Sequence, residues 1–239
     1  MEYRDNFSFN DSIYCYPNSD VLRNKLGIHD KDELEKTEAA IIGPKIAQLF
    51  LSGTTILKGP KGRFDFNHLK AIHRYLFEDL YDFAGEVRKV DVAKGHIFCN
   101  YLNIDSEALR IFDELRSENY YLAYDFAETM EKIVHLFIEI DALHPFREGN
   151  GRSQREFAEE LAKINGICLD LTRISKEEMV YACGLAVNGD YSMITNLFFD
   201  NAEEKPEKQD EYLDKYMDPI LCAKAVVQCE KDKRRKRKK

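Results

Sequence analysis

Between Phe126 and Leu143, the side chains Met130, Ile133, Val134, Phe137, Ile138 and Ile140 fall around almost the whole circumference of a helix. A helix that is apolar on nearly every side has to be enclosed by other elements. The rest of the chain must therefore supply a shell, and most of the candidates carry a helical period. Leu69, Ile72, Leu76, Phe77 and Leu80 form a stripe behind Asp65 or Asn67. Leu109, Phe112 and Leu115 follow Asp105 or Ser106, and Phe157, Leu161 and Ile164 run to Asn165-Gly166, a good C-terminal stop. Ser175 can cap Met179, Ala182, Leu185 and Ala186, with one more helix from Tyr191 to Phe199. Twelve glycines and six prolines in 239 residues are few for a turn-rich β protein. The expectation is an all-α helical bundle.

One stretch breaks the helical period. Residues 87–92 alternate as a strand would, Ala93-Lys94-Gly95 makes a turn, and Ile97-Phe98-Cys99-Asn100-Tyr101 can return, giving a single β-hairpin. An exposed hairpin edge in a helical protein needs a reason. Upstream, Asp20 is expected to cap a short helix with Val21, Leu22 and Leu26, and Asp30 or Asp32 a second one that Pro44 bends or ends. The boundaries expected are an N-terminal helical region (1–64), a core (65–200), a linker and amphipathic helix (201–230) and a basic tail (231–239).

The net charge of −8 is uneven, because residues 231–239 carry +7 and the preceding 230 carry −15. An acidic body argues against nucleic acid as the main partner, and the tail reads as a solvated end. Six scattered cysteines without a C-x-x-C pair fit reduced thiols. No run approaches the roughly 18 apolar residues of a membrane span, and Met1–Asp5 lacks the pattern of a secretory signal. Cytoplasmic location follows as the expectation.

The apolar helix runs directly into His144-Pro145-Phe146-Arg147-Glu148-Gly149-Asn150-Gly151-Arg152-Ser153-Gln154-Arg155, where a second helix starts. Glycines at a helix N-terminus, followed by arginines, make an anion cradle. Gly149 and Gly151 let backbone approach a phosphate, and Asn150 can donate its amide. Arg152 and Arg155, three apart, can reach one polyphosphate. Glu148 is a hard oxygen ligand suited to nucleotide-bound Mg²⁺, or alternatively an acid at a helix start. His144 can take a proton from a hydroxyl near neutral pH. A lone histidine is more often a packed one, but beside this loop the catalytic reading is preferred. Phe146 reads as the plug that fixes the loop to the core.

These residues match every defined position of HxFx[D/E]GNGRxxR, and the chain resembles the Fic family. Leu80–Val90 and Lys94-Gly95-His96-Ile97-Phe98 resemble that family's approach to its flap and the flap itself, so the likeness covers roughly residues 65–200. The resemblance implies a Fic-type bundle and a protein adenylyltransferase, which moves AMP from ATP to a Ser, Thr or Tyr hydroxyl. It implies His144 as base, Glu148 as the Mg²⁺ ligand, and Phe146, Gly149, Asn150, Gly151, Arg152 and Arg155 as the nucleotide site. Lys94–Phe98 would dock the protein substrate by strand addition. Doc relatives, which phosphorylate, have lysine in place of Gly151, so AMP transfer is favoured.

One departure concerns restraint. Fic proteins with a built-in inhibitory helix carry [ST]xxxE[GN], and no Ser or Thr here is followed by that pattern. Thr37–Gly43 comes nearest and has Ile41 where the glutamate belongs. The chain is therefore either unrestrained or held by a small antitoxin acting in trans, and the antitoxin is preferred. Two other readings stand beside this one: transfer of another phosphate-containing group, and a binding module without catalysis. Export into a host cell is compatible with the basic tail.

Overall fold

Phe126–Leu143 forms the helix (α4) that its apolar circumference requires. A reciprocal capping box opens it: Glu128 N–H donates to Asp125 Oδ1 at 2.9 Å, and Asp125 N–H to Glu128 Oε2 at 3.4 Å. The computed structural model describes residues 7–8, 13–57, 62–93 and 98–236. Around α4 pack α3 (Ile104–Ser117), α5 (Asn150–Ile164), α6 (Lys176–Val187) and α7 (Ser192–Asp200). On its other sides α5 meets α2 (Phe66–Phe77) and α8 (Gln209–Tyr216), and α1 (Lys31–Ser52) packs against α2. The all-α bundle is as expected, and α2 and α6 begin behind caps read from sequence, Asp65 and Ser175.

Several local expectations fail for identifiable reasons. Residues 20–26 are not helical. Tyr16 N–H donates to Val21 O and Arg23 N–H to Tyr14 O, closing a bridge between Cys15 and Leu22 over the Tyr16–Ser19 turn. Pro44 neither ends nor splits α1, which continues for 22 residues. Among the described residues of the hairpin region only Val92–Ala93 (β2) is strand, and it pairs antiparallel with Phe7–Ser8 (β1). Phe98 N–H still donates to Val92 O at 3.3 Å, but residues 98–100 carry no ladder and Tyr101–Asn103 turn into α3. Lys94, Gly95, His96 and Ile97 lie outside the described residues.

The 201–211 stretch contains more than a linker. Ala202–Glu204 (β4) pairs with Ile167–Leu169 (β3), and α8 begins at Gln209. The final helix is two, because the chain breaks at Met217-Asp218, where Asp218 N–H donates to Gly62 O at 2.8 Å and Asp218 Oδ1 caps α9 (Pro219–Lys236). Pro219 suits the first position of a helix, where no N–H is needed. The tail backbone is helical as far as Lys236.

One stretch, Lys31–Ile56, is long and apolar enough by length and composition to cross a membrane. In this fold its helix is a wall of the bundle. Leu34, Ile42 and Leu49 are buried, and Lys45 Nζ reaches Asp79 at 2.5 Å.

Candidate active site

The site forms where α4 ends and α5 begins. His144 terminates α4 in the left-handed region (φ 44°, ψ 61°), unusual for a side-chain-bearing residue, with its N–H still bonded to Ile140 O at 3.0 Å. That turn is fastened from outside by Arg88. The guanidinium is buried and donates to His144 O at 2.7 Å, Leu143 O at 3.5 Å, Val90 O at 2.6 Å and also Cys99 O. Arg88 N–H donates to Pro145 O, and Cys99 N–H to Ala142 O. Burial pushes the Arg88 pKa below its usual value, against the opposing effect of Asp91. A cation here satisfies the last carbonyls of α4 and matches the negative end of its dipole. The His144 ring is then stacked flat on Phe98, with centroids 3.7 Å apart, and its Nδ1 lies 4.0 Å from Asp141 Oδ1.

The loop itself is held by its own asparagine. Asn150 Oδ1 accepts from Phe146 N–H at 2.8 Å and Nδ2 donates to Phe146 O at 2.7 Å. The Asn150 amide was expected to hold phosphate; it is buried and shapes the loop, so any contribution to an anion comes from its backbone. Phe146 is corrected likewise. Its ring is fully buried and stacks on His73 at 3.8 Å, leaving no face for a nucleotide.

His73 ties three segments together. Its Nδ1 accepts from Gly85 N–H at 2.8 Å, so the proton resides on Nε2, which donates to Glu148 O at 2.8 Å. Burial is the chief reason that its pKa falls to about 3, so the ring is neutral at physiological pH. Phe77 stacks beneath it and forms the floor of the cradle. A Cβ on Gly149 (φ +80°) would lie 2.3 Å from the Phe77 ring, so the fold itself demands this glycine. Gly151 differs. It is exposed, and a Cβ there would meet no protein atom within 4 Å. Its openness leaves room for a group supplied from outside the chain.

Behind that opening stand the first N–H groups of α5, which have no partner within their helix. Glu148 Oε1 accepts from Gly149 N–H at 2.9 Å and lies 3.5 Å from Arg152 Nη2. The Arg152 guanidinium lies over Phe77, 4.7 Å from the ring centroid, and its Nη1 meets Glu38 Oε1 of α1 at 2.5 Å. Arg155 points elsewhere, with Nη1 donating to Leu171 O at 3.5 Å and Ile174 O at 3.3 Å. The Leu171 segment is fixed in turn by Glu159, whose Oε1 accepts Leu171 N–H at 2.8 Å and whose carboxyl burial pushes up to about 7. Among the described residues, no group of three or more His, Cys, Asp or Glu side chains could hold a metal. A metal at Glu148 would have to share one carboxylate with oxygens of a ligand, which suits nucleotide-bound Mg²⁺.

The arrangement brings together a histidine, a single carboxylate, an open helix N-terminus and one arginine, Arg152, while Arg155 is turned onto the Leu171 and Ile174 carbonyls. Residues 63–162 match the sequence profile of the Fic/DOC family. The chain is also 33% identical over 206 residues to the probable protein adenylyltransferase Fic of Escherichia coli K12, covering 86% of this chain and 99% of that one. It belongs to the Fic/DOC family. It is 36% identical over 192 residues to the protein adenylyltransferase VbhT of Bartonella schoenbuchensis, covering 80% of this chain but only 39% of VbhT. The fold matches BepC, a VirB-translocated effector of Bartonella tribocorum crystallised with AMPPNP. The TM-score is 0.73 and the identity 26%, over 81% of this chain and 97% of that one.

Sequence reading missed Arg88, His73, Phe77 and Glu38 as parts of this site. Phe77 reads as one of the apolar stripe of α2, and His73 was not singled out. A polar ring beside such a stripe is the signal the sequence offers.

The two glycines should separate fold from function. Gly149→Ala is expected to cost about 2–5 kcal/mol in denaturant unfolding, from the left-handed backbone and the Phe77 clash. Gly151→Ala should be neutral or gain up to about 1 kcal/mol, as alanine favours helix, while nucleotide binding weakens.

Acid should also act through His73. Its contribution to stability needs the neutral ring, so it is complete above pH 6.5 and declines as pH falls toward the folded value of about 3. In unfolding titrations between pH 6.5 and 4 this ring should supply up to about 1.4 kcal/mol per pH unit. In His73→Gln, which keeps a donor toward Glu148 O, that slope should vanish.

Proposed function

We propose that the protein is a protein adenylyltransferase, transferring AMP from ATP to a hydroxyl side chain of a target protein. The observation that carries the reading is the pairing of His144 with the open helix N-terminus at Gly151. The imidazole stands at one end of the loop and the glycine-bearing start of α5, open at Gly151, at the other. Membership of the family and the names of its relatives support the same reaction.

In this reaction the target hydroxyl gives its proton to His144 and its oxygen attacks the α-phosphorus of ATP. A new O–P bond forms, the bond to the β-phosphate oxygen breaks, and pyrophosphate leaves. The backbone N–H groups at the start of α5 stabilise charge on the α-phosphate oxygens, as preorganised donors that need no rearrangement. Arg152 holds the distal phosphates, and Arg155 joins it on leaving the Leu171 and Ile174 carbonyls. Glu148 would hold a nucleotide-bound Mg²⁺, which would supply charge neutralisation at the phosphates. Phe98 on the face of the His144 ring and Arg88 at its carbonyl support a base that needs no substrate to orient it.

The target segment would dock along Lys94–Phe98, of which Phe98 already touches the base. A small antitoxin supplying an acid to Arg155 fits the arginine's present partners, which are backbone carbonyls rather than a carboxylate. The working location is the bacterial cytoplasm.

Incubation of the protein with a lysate and ATP labelled at the α- or the γ-phosphate tests the reaction. Label should pass to protein from the α-labelled nucleotide only, and His144→Ala should lower the rate by at least about 100-fold. Transfer from the γ-label alone would make the protein a kinase. Transfer from neither label would favour a binding module.

A further inference from the structure

Arg152 is tethered by a residue far away in sequence. α1, upstream of the family match, brings Glu38 onto the cradle. Glu38 Oε1 takes Arg152 Nη1 at 2.5 Å, while its other oxygen accepts from the Tyr81 hydroxyl at 2.5 Å. The Glu38 side chain is only 12% exposed, against 31% for Arg152. Tyr81 is buried, and its ring stacks on Phe83 at 4.8 Å. Burial and the neighbouring Glu38 carboxylate raise the Tyr81 pKa well above that of a free phenol, which keeps the hydroxyl a donor.

We propose that Glu38 is the positioning residue for Arg152, held in turn by Tyr81, and that this relay sets the guanidinium in the posture that receives the nucleotide's distal phosphates. The proposal rests on the nucleotide reading above. A guanidinium has five N–H donors in a rigid plane. Glu38 engages Nη1, on the α1 side, and leaves the Nη2 edge facing Glu148, where the ligand's phosphates would lie. The Phe77 ring supports the plane from below. A long side chain fixed in this way loses less conformational freedom when phosphate binds. Glu38 itself touches neither nucleotide nor metal in this scheme and acts only through Arg152.

A carboxylate on an arginine could instead compete with phosphate for its charge, and the two roles predict opposite signs. Equilibrium dissociation constants are measured for Mg·AMPPNP and for AMP, which lacks the distal phosphates, on wild-type protein and on Glu38→Ala, Glu38→Gln and Tyr81→Phe. Glu38→Ala should weaken AMPPNP binding by about tenfold, and AMP binding by less than about twofold. Glu38→Gln keeps an oxygen for Arg152 and should stay within about threefold of wild type for both ligands. Tyr81→Phe keeps the ring and removes the hydroxyl, so a selective loss of about threefold for AMPPNP carries the test even if Glu38→Ala does not fold.

Tighter AMPPNP binding in Glu38→Ala and Glu38→Gln would make Glu38 a competitor and overturn the proposal. So would equal losses for AMPPNP and AMP, which would mark a merely structural role, or no change in any variant. Wild-type protein that binds AMP and AMPPNP equally well would remove the distal-phosphate role of Arg152. Wild-type protein that binds neither would overturn the nucleotide reading itself, a result separable from failure of the relay.

Discussion

A buried arginine fastening the end of a helix is the contact on which this site depends. Arg88 donates to the carbonyls of Leu143 and His144 and, on its own strand side, to those of Val90 and Cys99. Without it, buried carbonyls would lose their donors, at a cost of about 1–3 kcal/mol for each group left unsatisfied. With it, α4 can stop abruptly, His144 can occupy a left-handed backbone, and the chain can turn at once into the loop that opens α5. The same arginine joins the segment before α3 to the His144 turn, so Phe98 reaches the His144 ring.

Below the loop, flat stacking continues the rigidity. Phe146, His73 and Phe77 form a column, and Arg152 covers its far end. His73 belongs in such a column only as a neutral ring, and its two backbone partners, Gly85 N–H and Glu148 O, fix which nitrogen carries the proton. The column explains why one glycine of the motif is structural and the other is not. Gly149 sits against Phe77, whereas Gly151 faces open space. Electrostatic preorganisation needs donors that do not move when charge develops, and this packing supplies them.

Much of this was legible in the sequence. The all-round apolar pattern of Phe126–Leu143 put that helix at the centre, and spacing put His144, Glu148, Gly149, Gly151 and Arg152 on one turn and its following helix. Side-chain roles within the loop were harder. Phe146 was legible as a plug, but Asn150 carries an amide that could bind phosphate, and only its neighbours show that it serves the loop instead. Long-range partners were invisible, since Arg88 lies 56 residues from His144 and Glu38 is 114 residues before Arg152. Local period misled at 87–91 and 98–100. Those residues are loops pinned by Arg88 on either side of residues 94–97, and Val92–Ala93 pairs with Phe7–Ser8.

Native-state hydrogen exchange on Arg88→Met, set against wild type, addresses this dependence most directly. The amides of residues 146–152 should exchange at least about tenfold faster in the variant, by local opening, while those of residues 157–164 in the second half of α5 change much less. Equal acceleration of both stretches, or a loop as protected as in wild type, would show that the cradle is held together without Arg88.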